Sequence, residues 1–189
     1  MKPPNKRLLL KKFSALGIRY SENLLFQKEA YKALFLRMWS KNQDPTKRFL
    51  SVCFGEEIRT KWHPPVSIKP SSKGSGDGVF LEGKSLGKHA YVGEYVGMVR
   101  KGGLSTFFSP YSVSYPTPIF SFRGFVIDAE KTGNFTRYIN HEKNPNLEMK
   151  STLIDGLIRM IFVTKRPVES GEELTMNYGT FWAKLFFAQ

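Results

Sequence analysis

The stretch "TRYINHEKNPN", residues 136–146, packs Arg137, Asn140, His141, Asn144, Pro145 and Asn146 into eleven positions. An Asn-His pair suits a catalytic or metal site, whereas a Pro between two Asn marks a turn. Partners for His141 are few. The chain has three His and one Cys, Cys53, which excludes a Cys-rich zinc site and an internal disulfide framework. His63 stands beside two Pro with no second His or acid at metal spacing, so it reads as a loop residue. The sequence assigns no metal ligands.

Around this stretch the chain has two textures. With 189 residues, 41% hydrophobic and 14% aromatic, it can bury the core of one good-sized domain, or of a smaller one with an appendage. Beyond residue 65 come short β-branched and aromatic runs between Gly and Pro: "GVFLEG", "HAYVGEYVGMV", "YSVSY", "FRGFVIDA" and "LIRMIFVTKRPV". They predict an irregular, mainly β body of short strands with no long helix between them. Before it, "SENLLFQKEAYKALFLRMWSK", residues 21–41, predicts a helix capped by Ser21, with Leu24, Tyr31, Leu34, Phe35 and Met38 on one face. A second helix is expected from Asp44 as N-cap and Pro45 at the first helical position. Its inward residues are expected to be Phe49, Val52 and Cys53, and Gly55 weakens it. The Pro/Ser/Gly-rich "HPPVSIKPSSKGSGDG" marks the boundary. The reading is thus a basic helical region over 1–65, a β domain over 66–182 and an apolar tail over 183–189.

The formal charge is +13, and residues 1–70 hold 15 Lys and Arg against 5 Asp and Glu. Such a patch attracts nucleic acid or another polyanion, or is a solvated basic face; both readings stand. No apolar run approaches a membrane span, and Leu8–Leu10 is too short a core for a cleavable secretory signal. No membrane contact is expected.

Three further stretches carry polar residues in telling places. "GSGDGVF" brackets Asp77 with Gly76 and Gly78, "GEYVG" sets Glu94 beside Tyr95, and "GEELTMNYG" ends in Tyr178. Taken singly they are a turn, a structural Tyr and a core hydrogen-bond partner. A strand places Glu94 and Tyr95 on opposite faces, one towards the core and one towards a site or solvent.

Taken in order with the opening stretch, these motifs resemble the SET domain of protein-lysine methyltransferases, whose usual strings are G-x-G-V, E-Y-x-G, R-[FY]-[IL]-N-H-S-x-x-P-N and G-E-E-L-x-x-D-Y. The resemblance spans residues 66–182. "YPTPIFSFRGFVIDAEKTGN" and "NYGTFWAK" look most like the small bacterial SET proteins of the chlamydial type. It implies a mainly β fold with an α-helical N-terminal arm, the β-clip fold of short strands, closed by a C-terminal pseudoknot that the Pro145-Asn146 turn helps to form. It implies S-adenosylmethionine as cofactor, held by Gly76, Asp77, Gly78, Arg137, Asn140, His141 and Tyr178, with Phe181 or Trp182 covering the adenine. Tyr178 and Tyr95 would serve catalysis, and Tyr95, Met176 and Tyr138 would line the lysine channel. His141 then needs no catalytic partner.

Methyl transfer to an amine is an in-line displacement, so positioning supplies much of the rate. No His or carboxylate has a claim as general base, and an aromatic channel would favour the neutral amine by desolvation. The implied substrate is a histone or histone-like basic tail. Local attraction would come from Glu94, Asp128, Glu130, Glu142 or Glu148, or from DNA held by basic residues of 1–70. Glu142 stands where the family has Ser, Asn177 where it has Asp, and Met176 where it has Phe or Tyr, favouring di- or trimethylation. The alternative is an inactive SET fold serving as a nucleic-acid-binding or scaffolding module. The apolar 21–41 helix and the tail suit a homodimer. The expected location is a bacterial cytoplasm, or a host cell and its nucleus after secretion by a non-classical route.

Overall fold

The computed structural model describes residues 6–40, 44–73, 76–107, 109–117 and 124–179. Three helices, α1 (Lys6–Ala15), α2 (Glu29–Trp39) and α3 (Pro45–Thr60), precede most of the strands. Asp44 caps α3, accepting from Thr46 N at 3.0 Å and Lys47 N at 3.4 Å. This satisfies two of the orphan amides of the first turn, and Pro45 there has no amide to lose.

Two helical expectations are corrected. The helix expected from Ser21 begins at Glu29, because Ser21 closes a turn with Asn23 and Leu25–Phe26 pairs with a strand of the body. Phe35 and Trp39 are buried on α2 while Leu34 is exposed. On α3, Phe49 is 67% and Val52 80% exposed, and Cys53 faces solvent with them. The buried side is Gly55 and Ile58 instead. α3 runs unbroken through Gly55, which faces the sheet, a Cβ there standing 3.1 Å from Arg59 Nη1 and 3.7 Å from Ile154 Cδ1.

Thirteen strands are described: β1 (Arg19–Tyr20), β2 (Leu25–Phe26), β3 (Val66–Pro70), β4 (Asp77–Leu81), β5 (Tyr91–Tyr95), β6 (Met98–Lys101), β7 (Ser112–Tyr115), β8 (Phe125–Asp128), β9 (Thr132–Gly133), β10 (Asn140–His141), β11 (Leu147–Ile154), β12 (Leu157–Thr164) and β13 (Glu173–Met176). They form small sheets in the orders β1-β9, β2-β6-β8-β7, β11-β12-β5 and β10-β13-β4-β3. The mainly β expectation holds. The run "HAYVGEYVGMV" splits at Val96–Gly97, so β5 and β6 serve different sheets. Gly97 permits that crossing, since a side chain there would overlap the Asp128 carbonyl. Strand β11 was not anticipated. It pairs with β12 from Leu147↔Thr164 to Ile154↔Leu157 around Asp155-Gly156, both at positive φ, a two-residue hairpin turn.

The composition changes at residue 65, yet both sides build one core. Leu9 and Phe13 of α1 and Phe35 and Trp39 of α2 pack with Val79, Val99, Ile127, Phe135 and Phe162. Short pairings, β1 with β9 and β2 with β6, register the N-terminal segment against the body.

Candidate active site

The site grows from β13, which lies between two partners. It runs parallel to β10, with Asn140 opposite Thr175 and His141 opposite Met176, and antiparallel to β4, with Glu173 opposite Phe80. This brings the glycine stretch, the Asn-His pair and the last motif side by side. Asn140 Nδ2 donates to Asp77 O at 3.0 Å and to Glu173 Oε1 at 3.1 Å. The Glu173 carboxylate also accepts from Ser71 Oγ, Ser72 N and Ser72 Oγ, at 2.7, 2.8 and 2.8 Å. Burial opposes its charge, but the donors from Ser71, Ser72 and Asn140 hold the carboxyl below its ordinary range. Gly78 is required by this approach, because a Cβ there would overlap the Glu173 carboxylate. Gly76, at φ +92°, faces open space. Asp77 Oδ1 pairs with Lys12 Nζ at 2.8 Å, fastening α1 to the same loop.

The crossing is locked by Asn146. Its Nδ2 donates to Glu173 O at 2.7 Å and its Oδ1 accepts from Thr175 N at 2.9 Å. The turn of residues 144–146 is thereby tied to the strand it crosses.

Tyr178 joins two sides of the site. Its amide donates to His141 Nδ1 at 3.1 Å, and its hydroxyl donates to Ile139 O at 2.6 Å. The side chain then borders a cavity of about 1000 Å³, whose lining includes Tyr95, Arg137, Met149, Phe162 and Met176. The cavity continues along residues of 102–114 and 124–126. Burial, with Tyr111 adding, pushes the Tyr178 hydroxyl well above the usual range, so it stays protonated across the working pH range. Tyr95 donates to Tyr111 O at 2.7 Å, and burial raises its hydroxyl too.

The remaining residues singled out in the sequence are placed as follows. Tyr138 is not among the residues lining the cavity; its ring meets Phe13 of α1 edge-on at 5.6 Å. Arg137 is stacked on Tyr111 and Tyr138 and donates to Ala129 O at 2.8 Å and Glu130 O at 3.3 Å. Phe181 and Trp182, like the tail, lie outside the described residues. Glu94 and Tyr95 are both buried, and of the two faces it is Tyr95 that turns to the cavity. Glu94 is held by Lys61 at 3.2 Å and Arg159 at 3.1 Å. Glu142 pairs with Lys73 at 3.2 Å, and Asn177 accepts from Gly179 N at 2.7 Å, so both departures from the family strings have structural partners. His63 is a buried loop residue whose Nδ1 bonds Pro64 O at 2.8 Å. Among the described residues no cluster of His, Cys, Asp and Glu suits a metal, and no helix is long and apolar enough to cross a membrane.

Sequence reasoning missed Glu173 as the hub and Tyr111 as the cap of Tyr95. Ser71 and Glu173 are 102 positions apart, and no local pattern joins them.

A family model described as "SET domain" matches residues 10–179. Histone-lysine N-methyltransferase trr of Drosophila melanogaster is 31% identical over 126 residues, 65% of this chain and 5% of that protein. Histone-lysine N-methyltransferase 2D of Homo sapiens is 32% identical over 124 residues, 64% of this chain and 2% of that protein. The chain therefore spans a few per cent of the length of these relatives. A crystal structure of KRYPTONITE in complex with mCHH DNA, H3(1–15) peptide and SAH superimposes with a TM-score of 0.51 at 28% identity, covering 62% of this chain and 24% of that one. With its motif segments assembled around β13, the chain belongs to the SET-domain family.

Proposed function

We propose that the protein is a protein-lysine N-methyltransferase that uses S-adenosylmethionine and acts on histone or histone-like basic tails. The observation that carries this reading is Tyr178, which touches the Asn140-His141 segment through its amide and borders the cavity with its ring. The names of the relatives and the SAH and H3 peptide of the KRYPTONITE complex support it.

The residues present suit the cofactor. Gly76 has open backbone, the Asn140 amide bonds Asp77 O, and the His141 ring accepts from the Tyr178 amide; these three do not line the cavity and are joined to it through Tyr178. These residues and Gly78 would hold it, and when bound it supplies a methyl group on a sulfonium leaving group. The chain's own contribution is geometric. Tyr178 O and Ile139 O, fixed on one another, offer acceptors that can hold a methyl on axis through weak C–H···O contacts. Tyr95, Met149, Phe162 and Met176 exclude water from the acceptor side.

Deprotonating a Lys of pKa 10.4 costs about 4–5 kcal/mol at pH 7. The described lining holds no carboxylate and no His, and the buried Tyr hydroxyls are held protonated, so water takes the proton. At saturating peptide, kcat should therefore rise up to about tenfold per pH unit from pH 6 and flatten at about pH 8–9, where the desolvated amine of the bound complex titrates. A maximum near pH 6 would sink the base-free scheme. Met149 and Met176 put flexible thioethers, not hydroxyls, against the acceptor amine. Mass spectra after exhaustive turnover should show di- or trimethyl-lysine, and monomethyl-lysine alone would refute this.

Of the acidic residues proposed to attract a basic tail, Glu94, Asp128, Glu142 and Glu148 are engaged by Lys61 and Arg159, Arg100, Lys73 and Lys150. Among the described residues Glu130 alone of the five is outside these pairs. Exposed Arg7, Lys11, Arg19, Lys32, Arg37 and Arg48 instead favour a nucleoprotein whose DNA is held by the N-terminal segment. Activity on nucleosomes should fall steeply with salt and activity on free peptide gently; equal slopes would exclude this route. The test of the function itself is transfer of labelled methyl from S-adenosylmethionine to core histones. Cofactor binding without labelled product would return the inactive-scaffold reading.

A further inference from the structure

Arg137 is a buried cation with no counter-ion among the described residues. Its residue is 7% exposed, and among the described residues no carboxylate forms an ion pair with it. Three things satisfy it instead. Nε donates to Ala129 O, a terminal nitrogen donates to Glu130 O, and the guanidinium lies over the rings of Tyr111 at 4.1 Å and Tyr138 at 4.7 Å. A guanidinium does not shed its proton in proteins, so the charge persists there at any working pH. Arg137 also lines the cavity that holds Tyr95, Met176 and Tyr178.

The surroundings leave that charge uncompensated. From β5 comes Tyr95, from β7's leading segment Tyr111, from the 3-10 turn Tyr138, and from the end of β13 Tyr178; all are hydroxyls. Asp128 on β8 is bound by Arg100 Nε at 2.8 Å, and Asp77 on β4 by Lys12 at 2.8 Å. Glu130 gives Arg137 its carbonyl while its side chain is exposed. The field reaches the site: burial, then Tyr178, raise the Tyr95 hydroxyl, and Arg137 pulls against them. A tyrosine-lined pocket ordinarily welcomes a cation on its ring faces. Arg137 lies over Tyr111 and Tyr138, which are outside that lining, and its own fixed charge opposes such a cation.

We propose that Arg137 acts on the acceptor amine: its fixed positive charge disfavours an ammonium in the cavity and so favours the neutral, nucleophilic amine. The inference rests on the lysine-methyltransferase reading and adds to it the residue that prepares the nucleophile. Among the described residues lining the cavity, Arg137 is the sole charged side chain, so in the absence of a base it is the group able to bias this equilibrium. One like charge at close range is worth about one unit of amine pKa.

The test uses the H3(1–15) peptide and the same peptide with every lysine replaced by norleucine, an uncharged near-isostere. Binding is read by fluorescence anisotropy without cofactor. The unsubstituted protein should bind the norleucine peptide at least about threefold tighter at pH 7, with the advantage shrinking as pH rises towards 10. Arg137→Gln should move the ratio about tenfold towards lysine, and Arg137→Lys should retain the original ratio. In methyl transfer, Arg137→Gln should displace the rising limb of the pH profile about one unit upward. A purely structural role weakens both peptides alike, and an unmoved ratio would overturn the proposal. If Arg137→Gln does not fold, the unsubstituted protein still decides, since no norleucine advantage at pH 7 overturns it. Binding of neither peptide would also overturn it. Absence of methylation with the ratio shifted as expected would instead count against the methyltransferase reading alone.

Discussion

Tyr178→Phe should lower kcat/KM for methyl transfer by about a hundredfold or more while leaving cofactor affinity within about threefold. The hydroxyl bonds Ile139 O at 2.6 Å, and removing it frees that carbonyl to turn from its present direction. Two acceptors for a polarised methyl are then lost or misaligned together. A hundredfold loss is about 2.7 kcal/mol of barrier, within the range of removing one preorganised polar contact. The features expected to hold cofactor are untouched, because the Tyr178 amide keeps its bond to His141 Nδ1 and the ring keeps its place beside the His141 ring at 5.6 Å. Folding should suffer little, since one hydrogen bond contributes about 1 kcal/mol. The measurement pairs single-turnover methyl transfer with calorimetric binding of S-adenosylmethionine. A loss below about fivefold, or loss of binding in step with rate, would remove Tyr178 from the chemistry.

This residue was legible in the sequence because a chain-end Tyr in a Gly-bounded strand stands out beside ordered companion motifs. Its partners were less legible. That Asn140 and Asp77 meet follows from motif order, but Glu173 as their common anchor depends on strand pairing between distant segments. Tyr111 lies in a run that reads as a plain strand, and its importance lies in a backbone carbonyl and a ring face, neither of which has a sequence signature.

The helical half shows why local reading fails where tertiary contacts decide. Leu24, Tyr31, Phe35 and Met38 do recur at helical spacing, but Leu25–Phe26 gains more by completing a sheet edge on β6 than by extending α2. On α3 the expected phase turned Phe49, Val52 and Cys53 inward, whereas the buried side carries Gly55 and Ile58. A glycine lowers helix propensity by about 1 kcal/mol, yet α3 runs unbroken across Gly55 because its buried side packs on β11. Strand β11 could have been found: Asp155-Gly156 between two apolar runs is a strong hairpin signal.

Asn146→Ala should destabilise the protein by about 3–5 kcal/mol, the largest effect expected from a single side chain outside the cavity. Asn146 is 1% exposed, and its amide makes three bonds: to Glu173 O, to Glu172 Oε1 at 3.1 Å, and from Thr175 N. Ala removes them and leaves Glu173 O and Thr175 N with unsatisfied hydrogen-bonding capacity, at about 1–3 kcal/mol each. Asn144→Ala, two positions away and exposed, should stay within about 0.5 kcal/mol. The contrast matters more than either value, since the two Asn flank the same Pro and differ only in facing the strand. The cost should be local in kind: β13 carries Glu173, Met176 and the approach to Tyr178, so hydrogen exchange at Thr175 N should accelerate before that of β12. Urea unfolding of both variants measures the difference. A loss under about 1 kcal/mol at Asn146 would mean that β13 is held by its ladders to β4 and β10 alone, and that the crossing is not locked by this side chain.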